Sequence, residues 1–513
     1  MSLPFRAALA LLFAASIARA DDPPASSGAA AAAEPPAAAG AAVAAEPARA
    51  APAASTVRAA AGVDAARIAP GAADAVLLLS GQDALLGVRS FLETAGQLAP
   101  TLNPADLGRL IERRLGLDLL ATHAPLVPGL DEKLPWGVAD GPRAAVLLGR
   151  TLGFTGAVAK GSEVAARKAL GAWLGQPGKP KKAGKPVVVG RGKTMRAGLV
   201  APVQGGTRLL IATGLEADKL VELMAQVGRG KRPLSRRPEL KAALAAAKGT
   251  AILYVRGEGP ARAAVLSLHG APRELSAGGV VVGKPQPLLE GPPLSAAFCE
   301  GGPLLCARVG LGAGGEALLA LVWKQWAELA LAGPPRDVLD KLIPQATAAL
   351  SGPSALRLEM LDLDRLASAD PLWALSFTAA GLQQGFGARD LPASLPRGVS
   401  RSEAALSFEG ERPVYLRASE ASLSFGDGEK DGPAPQASTD TDSAFSFDLP
   451  GLGRALRKAS PLSALRGQLP AAAFTAQLLF GKLFAASEPI AGSARPSTSD
   501  KDSADLEVHW RLR

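Results

Sequence analysis

Three histidines, His123, His269 and His509, are all the chain has for imidazole chemistry. None stand at the short spacings that present a pair to one metal ion, and no H-E-x-x-H occurs. Signatures of an activated nucleophile are also missing: there is no G-x-S-x-G elbow and no S-x-x-K pair. His509 falls on the polar side of the alternation Leu506, Val508, Trp510, Leu512, which predicts that it faces solvent. His123, followed by Ala124-Pro125, reads as a loop residue. Asp362 with Asp364, and Asp440 with Asp442, form D-x-D pairs of the kind that can hold a divalent cation. The first pair fits a strand end and a helix cap. The second lies in a Ser/Thr/Pro-rich loop without the glycine and distal glutamate of a calcium loop. These patterns predict no metal and no cofactor, while a triad of distant residues stays open because spatial neighbours are invisible here.

Two glycine motifs invite a nucleotide. Gly310-Leu311-Gly312-Ala313-Gly314-Gly315 fits G-x-G-x-x-G, follows the strand-like LLCARV and opens a helix. A dinucleotide fold would next supply a second strand ending in an acid. Instead Pro334-Pro335 leads to another helical segment with Asp337 and Asp340, so the glycines read as a strand exit. Gly190-Arg191-Gly192-Lys193-Thr194 resembles a phosphate loop, but Val187 stands where a Walker A motif needs glycine. That segment reads as a basic hairpin turn.

The basic residues cluster twice. Lys179, Lys181, Lys182, Lys185, Arg191, Lys193 and Arg196 form one run without an intervening acid; Arg229, Lys231, Arg232, Arg236 and Arg237 form another. Brought together, they would attract phosphate-rich surfaces such as envelope polyanions, with Lys181, Lys182, Lys185, Arg232 and Arg236 as the candidate contacts. Left apart, they are two solvated loops. No aromatic interleaves the charges to stack bases, which argues against nucleic acid. Cys299 and Cys306 are the only cysteines, and in an exported chain they read as one disulfide. A hairpin pairing Glu300 with Leu305 would set the two directly opposite, at a separation a disulfide accepts.

The elements that must carry these residues follow from periodicity. Ala75–Ser80 predicts a buried strand, with Asp83 placed to cap a helix running to about Leu98; a second helix spans Pro104–Leu115. Strands follow at Ala144–Gly149 and Gly153–Ala159, then a helix over Ser162–Leu174. A hairpin is expected from Pro186–Val189 and Ala197–Val203, then strand Arg208–Thr213, helices Glu216–Val227 and Pro238–Ala247, and strand Thr250–Val255. Later segments predict helices at Glu316–Leu331, Arg336–Leu350 and Pro371–Gln383, a strand at Ala355–Met360, and strands at Ser400–Phe408 and Val414–Phe425. Two helices are expected between Leu452 and Ser487, and a last strand at Asp505–Leu512. A strand–turn–helix start recurs at Val76, Leu356 and Phe445. The fold expected is α+β: two similar halves, residues 57–258 and 259–513, each a mainly antiparallel sheet covered by helices. Polar loops are expected at 426–443 and 491–503.

Ahead of this lies a different kind of sequence. Arg6, the apolar Ala7–Ile17 and Ala18-Arg19-Ala20 have the layout of a secretory signal peptide over residues 1–20. Its apolar stretch is shorter than the roughly 20 residues that span a bilayer. Residues 21–56 are nearly all Ala, Pro, Glu, Ser and Gly and read as a disordered linker. No later apolar run is long enough to cross a membrane. The formal charge of +9 becomes +7 without Arg6 and Arg19, a modest excess for so long a chain.

AADAVLLLSGQDALL and LSRRPELKAALAAAKGTAILYVRG resemble an uncharacterised family of exported bacterial proteins known only as a domain of unknown function. The resemblance covers about residues 60–257. The basic cluster Lys179–Lys185 and the Ala-rich C-terminal half depart from it, and it implies no activity. The expectation is an exported envelope or secreted protein that binds or scaffolds. A periplasmic carrier of a hydrophobic or lipid ligand is the alternative, and an exported hydrolase with an unrecognised site the third.

Overall fold

The computed structural model describes residues 65–115, 141–175, 184–257, 261–283, 304–311, 352–360, 373–380, 397–401, 405–408, 414–418, 422–426, 443–458, 480–497 and 502–513, with Cys299 and a few single positions besides. The fold is α+β. Nineteen strands among these residues form one sheet. They are β1 Ala75–Leu79, β2 Arg143–Leu148, β3 Thr151–Val158, β4 Val187–Val189, β5 Arg196–Val203, β6 Gly206–Thr213, β7 Ala251–Arg256, β8 Ala261–Ala271, β9 Glu274–Gly283 and β10 Leu305–Leu311. The chain continues with β11 Gly352–Met360, β12 Trp373–Ala380, β13 Val399–Arg401, β14 Ala405–Phe408, β15 Val414–Ala418, β16 Ser422–Gly426, β17 Ser443–Phe447, β18 Ile490–Pro496 and β19 Ser503–Arg511. Helices are α1 Leu86–Leu98, α2 Pro104–Leu115, α3 Glu163–Leu174, α4 Ala217–Gly228, α5 Lys241–Ala246 and α6 Leu449–Lys458.

Every pairing is antiparallel, and the strand order has a centre. β9 pairs with β19 along its whole length, Glu274 against Arg511 through Val282 against Ser503. Outward from β9 the strands run β8, β7, β1, β2, β3, β6, β5, β4. Outward from β19 they run β18, β17, β10, β11, β12, β16, β15, β14, with β13 added at the end. Numbered along the chain from β1 or from β10, with β13 set aside, these are the same order. The two outermost strands, β4 and β13, have three residues each. The expected division at 258/259 falls inside the β7–β8 hairpin, where Ala251 pairs with Leu268 and Gly257 N donates to the Arg262 carbonyl.

Alternation along the strands makes two buried faces over β1–β9. On one, Val76, Leu78, Val146, Leu210, Tyr254 and Val265 pack against Leu220 and Met224 of α4 and Leu244 of α5. Leu220, Val221, Met224 and Val227 recur at the helical period, which is why α4 lies with this stripe inward. On the other face Phe154, Val200 and Ile211 meet Leu170 and Trp173 of α3. There too Phe91 of α1 meets the Trp510 ring edge-on, 5.0 Å between centroids. Each such fully buried side chain contributes about 1.5–3 kcal/mol. Among the described residues no helix is long and apolar enough to cross a membrane.

Several expectations are corrected. Asp83 makes no cap: a 3-10 turn, Gln82–Leu85, precedes α1 and no side chain bonds to its N-terminus. At α2 the cap is Asn103, whose Oδ1 accepts from Ala105 N at 2.9 Å. The helix expected at Pro371–Gln383 is strand β12, held between β11 and β16. The loop expected at 491–503 contains β18. The strands expected at Ser400–Phe408 and Val414–Phe425 are each a hairpin, β13 with β14 and β15 with β16. The expected leader and linker, the loop at 426–443 beyond its ends, and almost all of the helices expected over 316–350 lie outside the described residues.

Candidate functional site

The second basic run sits where α4 ends. Gly230 N donates to the Val227 carbonyl and Lys231 N to that of Gln226, closing the helix. The chain then turns at Arg232, whose φ of 49° makes it the one non-glycine residue in the left-handed region among the described residues. Such a conformation costs about 1–3 kcal/mol and persists only where surroundings impose it. Here they are residues 69–71: Gly71 N donates to the Arg232 carbonyl at 3.1 Å, and Leu234 N to that of Ala69 at 2.8 Å. Pro70 and Pro233 face each other across this bridge, over the fully buried Leu234.

The run divides by role. Arg237 turns inward, donating to the hydroxyl of buried Tyr254 at 2.7 Å and pairing with Glu239 at 2.6 Å. Burial pulls the Glu239 carboxyl up, but hydrogen bonds from its own backbone N–H and from Arg237 outweigh it and hold the group below the usual carboxylate value. Arg229, Lys231, Arg232 and Arg236 are exposed. Among the described residues none of these four forms an ion pair.

The first basic run is dispersed. Lys179, Lys181 and Lys182 lie outside the described residues. Lys185 is tied at 2.8 Å to Glu222 of α4. Arg196 lies over the Trp173 ring at 5.5 Å and donates to the Trp173 carbonyl. Arg191 belongs to the turn before β5, whose following residue Met195 accepts from Gly214 N just ahead of α4. That turn and loop 229–236 therefore stand at opposite ends of α4, about 18 Å apart along its axis. Of the five candidate contacts, the structure places Arg232 and Arg236 in one exposed loop and commits Lys185 to an acid.

A polar cluster on the central seam had no local signal. His509 Nδ1 is 3.0 Å from Glu274 Oε1 and its Nε2 is 3.0 Å from Glu507 Oε1, while Arg511 reaches Glu274 at 3.1 Å. His509 is thus half-buried and bonded rather than simply facing water. Hydrogen bonds from His509 and then Arg511 hold the Glu274 carboxyl below the ordinary range. The two carboxylates take opposite sides of the ring, so they brace it instead of converging on an ion. His269 is exposed on β8, and His123 lies outside the described residues, as do both D-x-D pairs.

Arg208 is the other unforeseen charge. It is 7% exposed, and its guanidinium donates to Thr155 Oγ1 at 3.0 Å and to the Pro142 carbonyl at 2.6 Å, both neutral partners. Burial lowers its pKa to about 10.

Cys299 and Cys306 form a disulfide, 5.8 Å between α-carbons. The hairpin register expected to join them does not occur. Both edges of β10 are occupied, Cys306 lying between Arg357 of β11 and Ser446 of β17, so Cys299 reaches its partner from outside the ladder. Gly310, which opens the G-x-G-x-x-G motif, is a residue of this strand, and its N–H donates to Ser443 Oγ at 3.2 Å. A dinucleotide motif needs a parallel strand leading to its glycines; β10 is antiparallel to both neighbours.

Comparison with protein-family models, with curated proteins and with solved structures finds no match to this chain.

Proposed function

We propose that this is an exported protein that acts by binding or scaffolding rather than by turnover. The observation that carries the reading is the sheet itself. Two runs of strands repeat one order outward from β9–β19 and share one continuous ladder, an architecture suited to support rather than to enclosing a reaction site. Beyond α4 the loop 229–236, bonded to residues 69–71, carries the exposed Arg229, Lys231, Arg232 and Arg236. The leader-like residues 1–20 and the Cys299–Cys306 disulfide favour an oxidising compartment outside the cytoplasm.

Mass analysis of the protein from the envelope fraction of its native cells tests both parts. Export predicts a chain beginning at Asp21, after Ala18-Arg19-Ala20; an intact leader on soluble cytoplasmic protein would overturn it. Binding predicts a partner or small molecule that co-purifies in a fixed ratio. A stoichiometric lipid would select the carrier alternative, and release of a chemically altered compound would select the hydrolase.

A further inference from the structure

We propose that loop 229–236 docks on the surface of an anionic lipid bilayer, an inference that rests on the reading of the protein as an exported binder. Arg229, Lys231, Arg232 and Arg236 are exposed and have no acidic partner among the described residues. The nearest acid in sequence, Glu239, is already held by Arg237 on the inner side. The half-charge at the C-terminal end of α4 offsets only a fraction of four full positive charges.

The loop is presented rather than loose. Its one strained residue is an exposed arginine, kept in the left-handed region by the hydrogen bonds to residues 69–71. A glycine would adopt that φ without cost, so the position keeps a cation where the backbone favours none. The charges are strung along the loop without an interleaved aromatic, which suits a field of phosphate headgroups better than stacked bases.

Co-sedimentation of the mature full-length chain with vesicles of equimolar phosphatidylglycerol and phosphatidylcholine tests this, with pure phosphatidylcholine vesicles alongside. Binding to the anionic vesicles alone is expected, weakening steeply as salt rises. Replacing Arg229, Lys231, Arg232 and Arg236 together by Ser should weaken it by about tenfold or more at low salt. Lys219→Ser, which removes an exposed lysine paired with Glu216, should leave it unchanged. Unchanged melting temperatures show that the variants fold, and Arg232→Gly, which relieves the φ while losing one charge, gives a second, milder variant. Absence of wild-type binding, or equal binding by the fourfold variant, overturns the proposal. So does full competition by soluble glycerol phosphate, which would mark a free-phosphate site, or tighter binding to single-stranded DNA. Each of these results leaves the partner sought by co-purification untouched, so failure here and failure of the binding reading are distinguishable.

Discussion

His509 of β19 holds Glu274 of β9 through its Nδ1, 3.0 Å from Oε1, across the seam where the two runs of strands meet. The residues are 235 positions apart in the chain. With Glu507 on the other ring nitrogen, an imidazolium donates to both carboxylates, whereas a neutral ring donates to one.

This pair makes stability depend on pH in a stated direction. Glu274 ionises more readily in the folded protein than its ordinary value of 4.5. Its contribution is therefore fully present above that value and is lost as pH falls through the lower, folded-state one. Glu274→Gln is expected to lower Tm at pH 7 and to differ progressively less from the parent below about pH 4. Parallel Tm curves for the two proteins from neutral to acid pH would contradict the assignment.

The disulfide closes a short loop, with a sequence separation of 7. On the chain-entropy account, removing it costs about 2.5 kcal/mol. Urea midpoints of the oxidised parent and of a Cys299→Ser, Cys306→Ser variant measure this. Thiol titration of unreduced, unfolded parent should find no free thiol, and two would refute the bond.

Gly87 and Gly270 let α1 press against β8. A methyl group on Gly87 would fall on the Gly270 carbonyl. Helix propensity alone predicts that Gly87→Ala stabilises by about 1 kcal/mol. The contact predicts the opposite sign, a loss of about 1–3 kcal/mol. Equilibrium denaturation decides between them by sign alone.

Arg208 offers a contrast between two substitutions. Lysine keeps a charge in the same buried place but cannot span Thr155 and Pro142 with a planar fork. Methionine gives up both hydrogen bonds and also the burden of a buried charge that meets no acid among the described residues. Arg208→Lys is therefore expected to cost about 1–3 kcal/mol more than Arg208→Met. The reverse order in urea melts would show that an acid reaches this guanidinium.

Much of the α+β fold was legible because periodicity was strong where both faces are buried, as in β1, β5 to β7 and α4. The errors have physical causes. Over Pro371–Gln383, alanine and leucine favour a helix, yet Trp373, Leu375 and Phe377 recur at period two, and pairing with β11 and β16 prevails. β18 reads as a loop because of Gly492, but a side chain there would collide with the Phe445 ring of β17, so the residue that weakens the strand signal is the one the packing requires. β13 with β14, and β15 with β16, merged into long strands because their turns have no Gly-Pro punctuation. Of the site, the basic composition of loop 229–236 was visible. The φ of Arg232, its brace at residues 69–71 and the Glu274–His509 pair were not, since each depends on residues distant in the chain.

The three-residue lengths of β4 and β13 have a consequence for the protein in a crowded compartment. A sheet of nineteen strands with long bare rims would recruit strands from neighbouring molecules and grow into fibres. Here β4 and β13 each offer an incoming strand three residues of backbone, with Pro186 directly preceding β4. Strands this short repay little of the freedom a visiting chain would surrender, so β4 and β13 themselves are poor templates for polymerisation.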